Sequence, residues 1–517
     1  MALKINRETV PAVVSIYDGI QEQNVELDYI LPDYYPDIFR LVRCEINPVI
    51  TGYSVSEGKL SYDFRCDIKI LYCSESGSVL QCVNQRQNFS KTVELNRSGD
   101  SLSVRLVPKT EHINFRAVNK RRLDVRSAVS VKVLVTGENE QEVISDATGL
   151  NVQVKKIPVS YACKRICTEK SVQLSEETEL STAQPPVMSI ISTKCTAPEP
   201  ERKMISGKLL AKGEIEISIL YSCEQNGEGG IEPFSFTLPY SQIVDIDGID
   251  DSFECRITAE TVSCEITPSA DKNGENRVLR CETELRLICS AVKTASAMLA
   301  EDAFSTVYPC ETMASEIKAE QLPVIYDENF RHSAKIAEGE NVPRMVYAMW
   351  CTPKNINTRI SDDGKSIVIS GMLCYSMASK DNSGMISMPD RDEAFEETIS
   401  IGDDLSGCSV SAEISVKEVS YNISSDGILT AKSDISAKIL SYSSSSVRVL
   451  TDISVDDTVK KVRDGDYAIK LYFGVENEDV WDIAKRYSTD VSAVMEENDL
   501  SGEKLESGGM LLIPIVT

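Results

Sequence analysis

Apolar and polar residues alternate along most of this chain. "GKLSYDFRCDIKILY" from Gly58, "LRCETELRL" from Leu279 and "LTAKSDISA" from Leu429 each keep a period of two. That period predicts half-buried antiparallel strands with one face on a core. Turn-forming clusters such as "ADKNGENR" and "SSDG" separate them. Near the C-terminus the period changes. In "EDVWDIAKRY", Val480, Ile483, Ala484 and Tyr487 fall at i, i+3, i+4 and i+7, one face of a helix. A second helix is predicted from Thr489 as N-cap, through Val491, Val494 and Met495, to Asn498. "DYAIKLYF" before and "ESGGMLLIPIVT" after read as strands, so the chain ends in a small strand–helix–helix–strand unit.

Three landmarks recur in the same order along the β-patterned part. An apolar segment ends in Cys44, Cys195 or Cys351. A Gly-Lys opens an alternating run at Gly58, Gly207 and Gly364. A clean period-two strand follows, in which Leu123, Val129 and Val133 take the same offsets as Leu279, Leu285 and Cys289, and as Leu429, Ile435 and Ile439. The repeat is domain-sized rather than a solenoid repeat. It predicts three tandem units, 1–160, 161–320 and 321–458, each an antiparallel β-sandwich or a partly open barrel. The charged stretch "VDDTVKKVRDGD" reads as a linker, and the terminal unit spans 465–517.

The 517 residues carry a net charge of −26, which argues against nucleic acid or an anionic bilayer as the main partner. No stretch approaches the roughly 20 apolar residues of a membrane span. The N-terminus has no apolar segment of signal-peptide length, so a cytosolic origin is expected. The sixteen cysteines sit mostly in strand-like runs without a C-x-x-C pair, and read as free, small hydrophobes. With two histidines, His112 and His332, in different units, no metal site is expected. Neither H-E-x-x-H nor G-x-S-x-G occurs. "DDGKS" at Asp362–Ser366 has Arg359 where a phosphate-binding loop needs its first Gly, and reads as a turn. The chain is therefore expected to be no enzyme and to need no cofactor.

The terminal unit resembles a LysM module through "VWDIAKRY", Asn498, Leu500 and the "LLIP" of Leu511–Pro514. It departs from the usual Gly-Asp-Thr before the first helix, where it has Asn477, Glu478 and Asp479. LysM modules typically bind N-acetylglucosamine polymers between two loops. The resemblance places those loops at Val475, Glu476, Asn477, Glu478 and Asp479, and at Asn498, Asp499 and Leu500. Residues 465–517 hold eleven acids and four bases, which favours a basic protein partner over an acidic wall polymer. Trp481 reads as core rather than as a sugar-stacking platform.

The stretch "LPDYYPDIFRLVRCEINPVIT", with the Gly-Lys run and period-two strand behind it, resembles the SPOCS domain of spore-coat proteins. Its opening motif is well formed only in the first unit. Tandem SPOCS domains with a C-terminal LysM resemble the spore-coat morphogenetic proteins of endospore formers. The resemblance implies a non-enzymatic adaptor in the mother-cell cytoplasm, at the forespore surface. Its LysM end would contact the coat-basement ATPase, stage IV sporulation protein A, and its SPOCS units would contact other coat components. The alternative is a peptidoglycan-binding protein that uses the LysM groove.

Overall fold

The computed structural model describes residues 2–74, 80–95, 100–205, 207–225, 228–318, 324–443, 446–462 and 468–515. The alternating runs form long antiparallel strands, and one pairing scheme occurs three times. In the first unit the strands are β1 (Lys4–Ile30), β2 (Arg40–Ser56), β3 (Lys59–Cys73), β4 (Leu80–Glu94), β5 (Asp100–Asn119) and β6 (Arg122–Thr148). They make two sheets, β1-β6-β5 and β2-β3-β4. The second unit has β7 (Val152–Glu179), β8 (Ser189–Thr196), β9 (Glu201–Ile205), β10 (Lys208–Gln225), β11 (Glu228–Asp245), β12 (Glu254–Ala270) and β13 (Asn276–Ser305). Its sheets are β7-β13-β12 and β11-β10-β8, with β9 also on β10.

The third unit comes next in the chain. It has β14 (Cys310–Lys318), β15 (Val324–Glu338), β16 (Met345–Ile360), β17 (Ser366–Lys380), β18 (Ile386–Ser387), β19 (Asp390–Ser400), β20 (Cys408–Ile423), β21 (Ile428–Ser443) and β22 (Ser446–Val455). Here β15-β21-β20 form one sheet, β16-β17-β18 with β19 a second, and β14-β22 a ribbon. The terminal unit follows as β23 (Ile469–Gly474), α1 (Val480–Tyr487), α2 (Val491–Glu497) and β24 (Gly509–Pro514).

Within each unit the two sheets pack on one core, because a period of two sends alternate side chains to the same face. The matched offsets are the buried ones. Leu123, Val129 and Val133 on β6 are fully buried, as are Leu285 and Cys289 on β13 and Ile435 and Ile439 on β21. The Gly-Lys landmark is a turn. Glu57 and Gly58 both have positive φ, 50° and 73°, the two-residue turn that suits the twist of β2 and β3. The cysteine landmark is offset in the first unit. A bulge at Val42, Ile191 and Tyr347 fixes the register of β2, β8 and β16, and it sets Ile46, not Cys44, level with Cys195 and Cys351.

Two further cores are shared by all three units. The outer parts of the long strands, 4–12 with 139–148 and 152–162 with 294–305, pair only with each other and form ribbons like β14-β22. The three ribbons meet in a stem. Val143, Leu299 and Val449 occupy equivalent register positions there, as do Ile144, Ala300 and Leu450, and all are buried. At the other end Leu71, Leu220 and Ala378 pack together with Leu80, Ile231 and Ile386. The units therefore stand around a common axis, with the head-to-tail contacts of a ring that closes.

Position 160 lies inside β7, and 320 lies outside the described residues. Pairing passes from one unit to the next at residues 149–151 and 306–309. The "PDYYPDI" loop is clamped by Arg121, which donates to the carbonyls of Leu31, Pro32 and Tyr35 at 3.0, 2.7 and 2.8 Å. Arg277 makes the equivalent clamp on Ser181 and Gln184, at 3.1 and 2.6 Å. The third unit has Gly427 at this position.

Candidate functional site

The terminal unit is built as its residues require. α1 starts at Asp479, whose Oδ1 accepts from the Trp481 N–H at 2.9 Å. Val480, Trp481, Ile483 and Ala484 fill its buried face. α2 starts at Asp490 and not at Thr489. Thr489 is buried and its hydroxyl donates to the Pro514 carbonyl, while Asp490 caps the Ser492 and Ala493 N–H groups at 2.8 and 3.3 Å. Asn498 ties α2 to β24. Its amide donates to the carbonyls of Val494 and Leu512 at 2.8 and 2.7 Å, and its Oδ1 accepts from the Leu512 N–H at 2.7 Å.

The two loops of interest divide by role. Val475, Glu476, Asn477 and Asp499 are exposed. Glu478 is turned inward, accepting from the Tyr472 hydroxyl at 2.6 Å and the Val475 N–H at 3.1 Å. Asn498 is half-buried with its amide engaged, and Leu500 packs on the core. Asp479 is drawn away from solvent. Its Oδ2 lies 2.7 Å from Lys155 Nζ of β7, which leaves its side chain 18% exposed. Burial alone would lower the pKa of Lys155, but the hydrogen bond and charge of Asp479 more than reverse this and raise it.

That contact is one part of a larger one. The ends of β7 and β13 offer Gln153, Lys155, Asp302 and Phe304 to the terminal unit. Trp481 Nε1 donates to Asp302 Oδ2 at 2.9 Å, and Lys485 Nζ to the same oxygen at 2.6 Å. Gln153 Nε2 donates to Asp490 Oδ2 at 2.8 Å. The Phe304 and Trp481 rings meet edge to face, centroids 4.9 Å apart. Trp481 is thus core, and that core includes Phe304 of the stem. Burial pushes the Asp302 pKa up, and the bonds from Lys485 and Trp481 outweigh it, so the carboxyl ends below its ordinary value. Sequence reasoning missed all four stem residues. The available signal was an Asp recurring in "VISDA", "LAEDA" and "VLTDI", at Asp146, Asp302 and Asp452.

On the opposite side of the terminal unit the two-stranded sheet faces solvent. Leu471, Phe473 and Met510 are 66%, 70% and 67% exposed. Phe473 pairs across the strands with Met510 and Leu471 with Leu512, so the apolar side chains form one patch.

A second concavity, about 1590 Å³, lies on the axis between the units, lined by Glu45, Lys194 and Trp350 among others. Its charges are largely satisfied from within. Arg43 bonds Glu45 and Asp390, both at 2.6 Å, and stands over the Trp350 ring. Among the described residues no cluster of three or more His, Cys, Asp or Glu is placed to hold a metal ion, and no helix is long and apolar enough to cross a membrane. All sixteen cysteines are free. Nine are buried, as the strand pattern suggests, while Cys163 and Cys167 are exposed on β7.

The SPOCS family description, "SipL, SPOCS domain", matches residues 37–118 and 186–267, and the LysM domain description matches 475–514. The first two segments are equivalent in the fold: one spans β2 to β5, the other β8 into β12. No curated protein and no solved structure matches the chain. With β-paired units in front and a two-helix unit behind, the chain carries two SPOCS domains and a C-terminal LysM domain, the composition of a SipL-like protein.

Proposed function

We propose that this protein is a non-enzymatic adaptor of endospore coat assembly, docking through its LysM domain to a coat-basement protein of the stage IV sporulation protein A type. The third unit acts as a further SPOCS module, since it repeats the pairing scheme of the two matched ones. The SPOCS units contact other coat components. One observation carries the reading: the exposed patch of Leu471, Phe473 and Met510 on the LysM sheet. A neutral sugar polymer gains from hydrogen-bonding groups in a groove, whereas a flat apolar patch gains most from another protein's apolar side chains. Exposed acidic residues in the loops that adjoin the two strands, Glu476 and Glu506, suit a basic surround on that partner.

The test is co-elution of the full chain with the purified basement ATPase on size exclusion. Leu471→Asp with Phe473→Asp abolishes co-elution while the melting curve stays unchanged. Retained co-elution in that variant removes the patch from the interface. A second reading, glycan binding, is favoured by the exposed loop residues Glu476, Asn477 and Asp499. Sedimentation with purified peptidoglycan that resists moderate salt would support it.

A further inference from the structure

The three ribbons of the stem share a local device. In each, one residue bulges out of the pairing: Ser145, Glu301 and Thr451. An aspartate follows, Asp146, Asp302 and Asp452, at the same register position. Two of the three reach across a seam to a cation on the first strand of the next ribbon. Asp146 pairs with Lys156 at 3.0 Å, and Asp452 pairs with Arg7 at 3.0 Å. Arg7 and Lys156 are themselves register equivalents, opposite Ile144 and Ala300. The residue that should complete the ring lies opposite Leu450, and it is Ala314.

Asp302 is therefore the one aspartate of the three whose neighbouring ribbon brings no cation at the equivalent place. Its partners come instead from the LysM domain, Lys485 and the Trp481 indole. The residues around it are also particular to this ribbon. Phe304 stands where the other two have Thr148 and Ser454, and Lys155 where they have Asn6 and Met313. Both N-cap carboxylates of the LysM helices divide their oxygens between their own helix and this site: Asp479 with Lys155, Asp490 with Gln153. A generic surface contact would not engage both helix starts at once. Charge complementarity runs both ways across it, a stem acid to a LysM base and a stem base to a LysM acid.

We propose that the second ribbon ends in a socket for the chain's own LysM domain, created by omitting the third inter-ribbon cation at Ala314. The socket acts as a latch. It holds the loop before α1 against the stem through Asp479 and turns the apolar sheet face outward. The latch does not rest on the partner proposed above, and it is tested without one.

The test uses the full chain with Trp350→Phe, so that Trp481 is the only fluorophore of its kind. Acrylamide quenching reads indole access. Hydrogen exchange of amides at 476–482 and 490–493 reads both helix starts, and circular dichroism reads the β body. Asp302→Ala is expected to raise the quenching constant about threefold or more and to speed exchange at both helix starts, with the β-body melt retained. Ala314→Lys, at an exposed position, gives Asp302 the cation its counterparts have and is expected to move the same readouts in the same direction. Unchanged quenching in Ala314→Lys with the β body folded would overturn the proposal, and so would unchanged quenching in Asp302→Ala. Quenching of the parent chain should not depend on protein concentration. A rise on dilution would mean that a neighbouring chain fills the socket, and that too would overturn the latch.

Discussion

Arg7 and Asp452 stand 445 residues apart in the sequence, and Nη2 of the one lies 3.0 Å from Oδ1 of the other. Arg7 also donates to the Thr451 carbonyl at 2.7 Å. The pair closes the seam between the first and last ribbons. Both side chains keep substantial solvent contact, so the ion pair itself contributes little. Arg7→Ala is expected to lower stability by about 1 kcal/mol or less in a denaturant titration. A loss of several kcal/mol would mean that this seam, rather than the apolar stem beneath it, closes the ring.

The stem core should behave differently. Leu299 is fully buried among Val10, Val143, Val159, Ile317 and Val449, residues of all three ribbons. Leu299→Ala should cost about 2–5 kcal/mol. Because those ribbons belong to different units, hydrogen exchange should accelerate together in β6, β13 and β22. Acceleration confined to β13 would show that the units open independently.

Asn498 offers a control for any experiment on the LysM domain. Its side chain satisfies the Leu512 N–H and carbonyl and the Val494 carbonyl. Removing it leaves part-buried backbone groups without partners, at about 1–3 kcal/mol. Asn498→Ala should therefore lower the melting point of the LysM domain, seen by exchange in β24. Any loss of binding in that variant reflects folding. An unchanged melt would make Asn498 a surface contact after all.

His332 makes stability depend on pH. Its Nδ1 lies 3.0 Å from the Tyr375 hydroxyl, which also accepts from Ser433 at 2.9 Å. Burial lowers its pKa, against the opposing pull of Glu393 and Glu397. The folded protein thus binds a proton less readily than the unfolded chain, whose histidine titrates near 6.5. This contribution is fully present above that value and is lost as pH falls below it. Between pH 7.5 and 5.5 the parent chain should lose more thermal stability than His332→Gln. Equal losses in both would place the acid sensitivity elsewhere.

Much of this architecture is legible in the sequence, for a simple reason. Strand periodicity is local, so the buried offsets on β6, β13 and β21 can be aligned by eye. The helices of the LysM domain are legible because Val480, Ile483 and Ala484 keep a helical spacing. The stem is not. Val143–Ile144, Leu299–Ala300 and Val449–Leu450 are adjacent apolar pairs in which both residues are buried, so they break the alternation, and nothing in the local pattern says which partner covers them. The unit boundaries fall at turns within alternating sequence, with no change of composition to mark them. The loop before α1 shows the limit most clearly. Glu478 and Asp479 look like free acids in the sequence, yet one holds Tyr472 and the other caps α1 and meets Lys155. Replacing that loop wholesale would disturb folding and docking together, so substitutions at exposed Asn477 or Glu476 are the cleaner probes.

Three similar ribbons held in one polypeptide fix a number as well as a shape. A body assembled from three separate copies would carry three identical arms and three identical sockets. Here, among the described residues, one ribbon end carries Phe304 and Lys155, and it holds the LysM domain matched at 475–514. That end of the described structure holds one LysM domain, while the β body presents three related but unequal faces. On the adaptor reading proposed above, such a particle would be counted onto a surface one anchor at a time, with three different directions left for the next components.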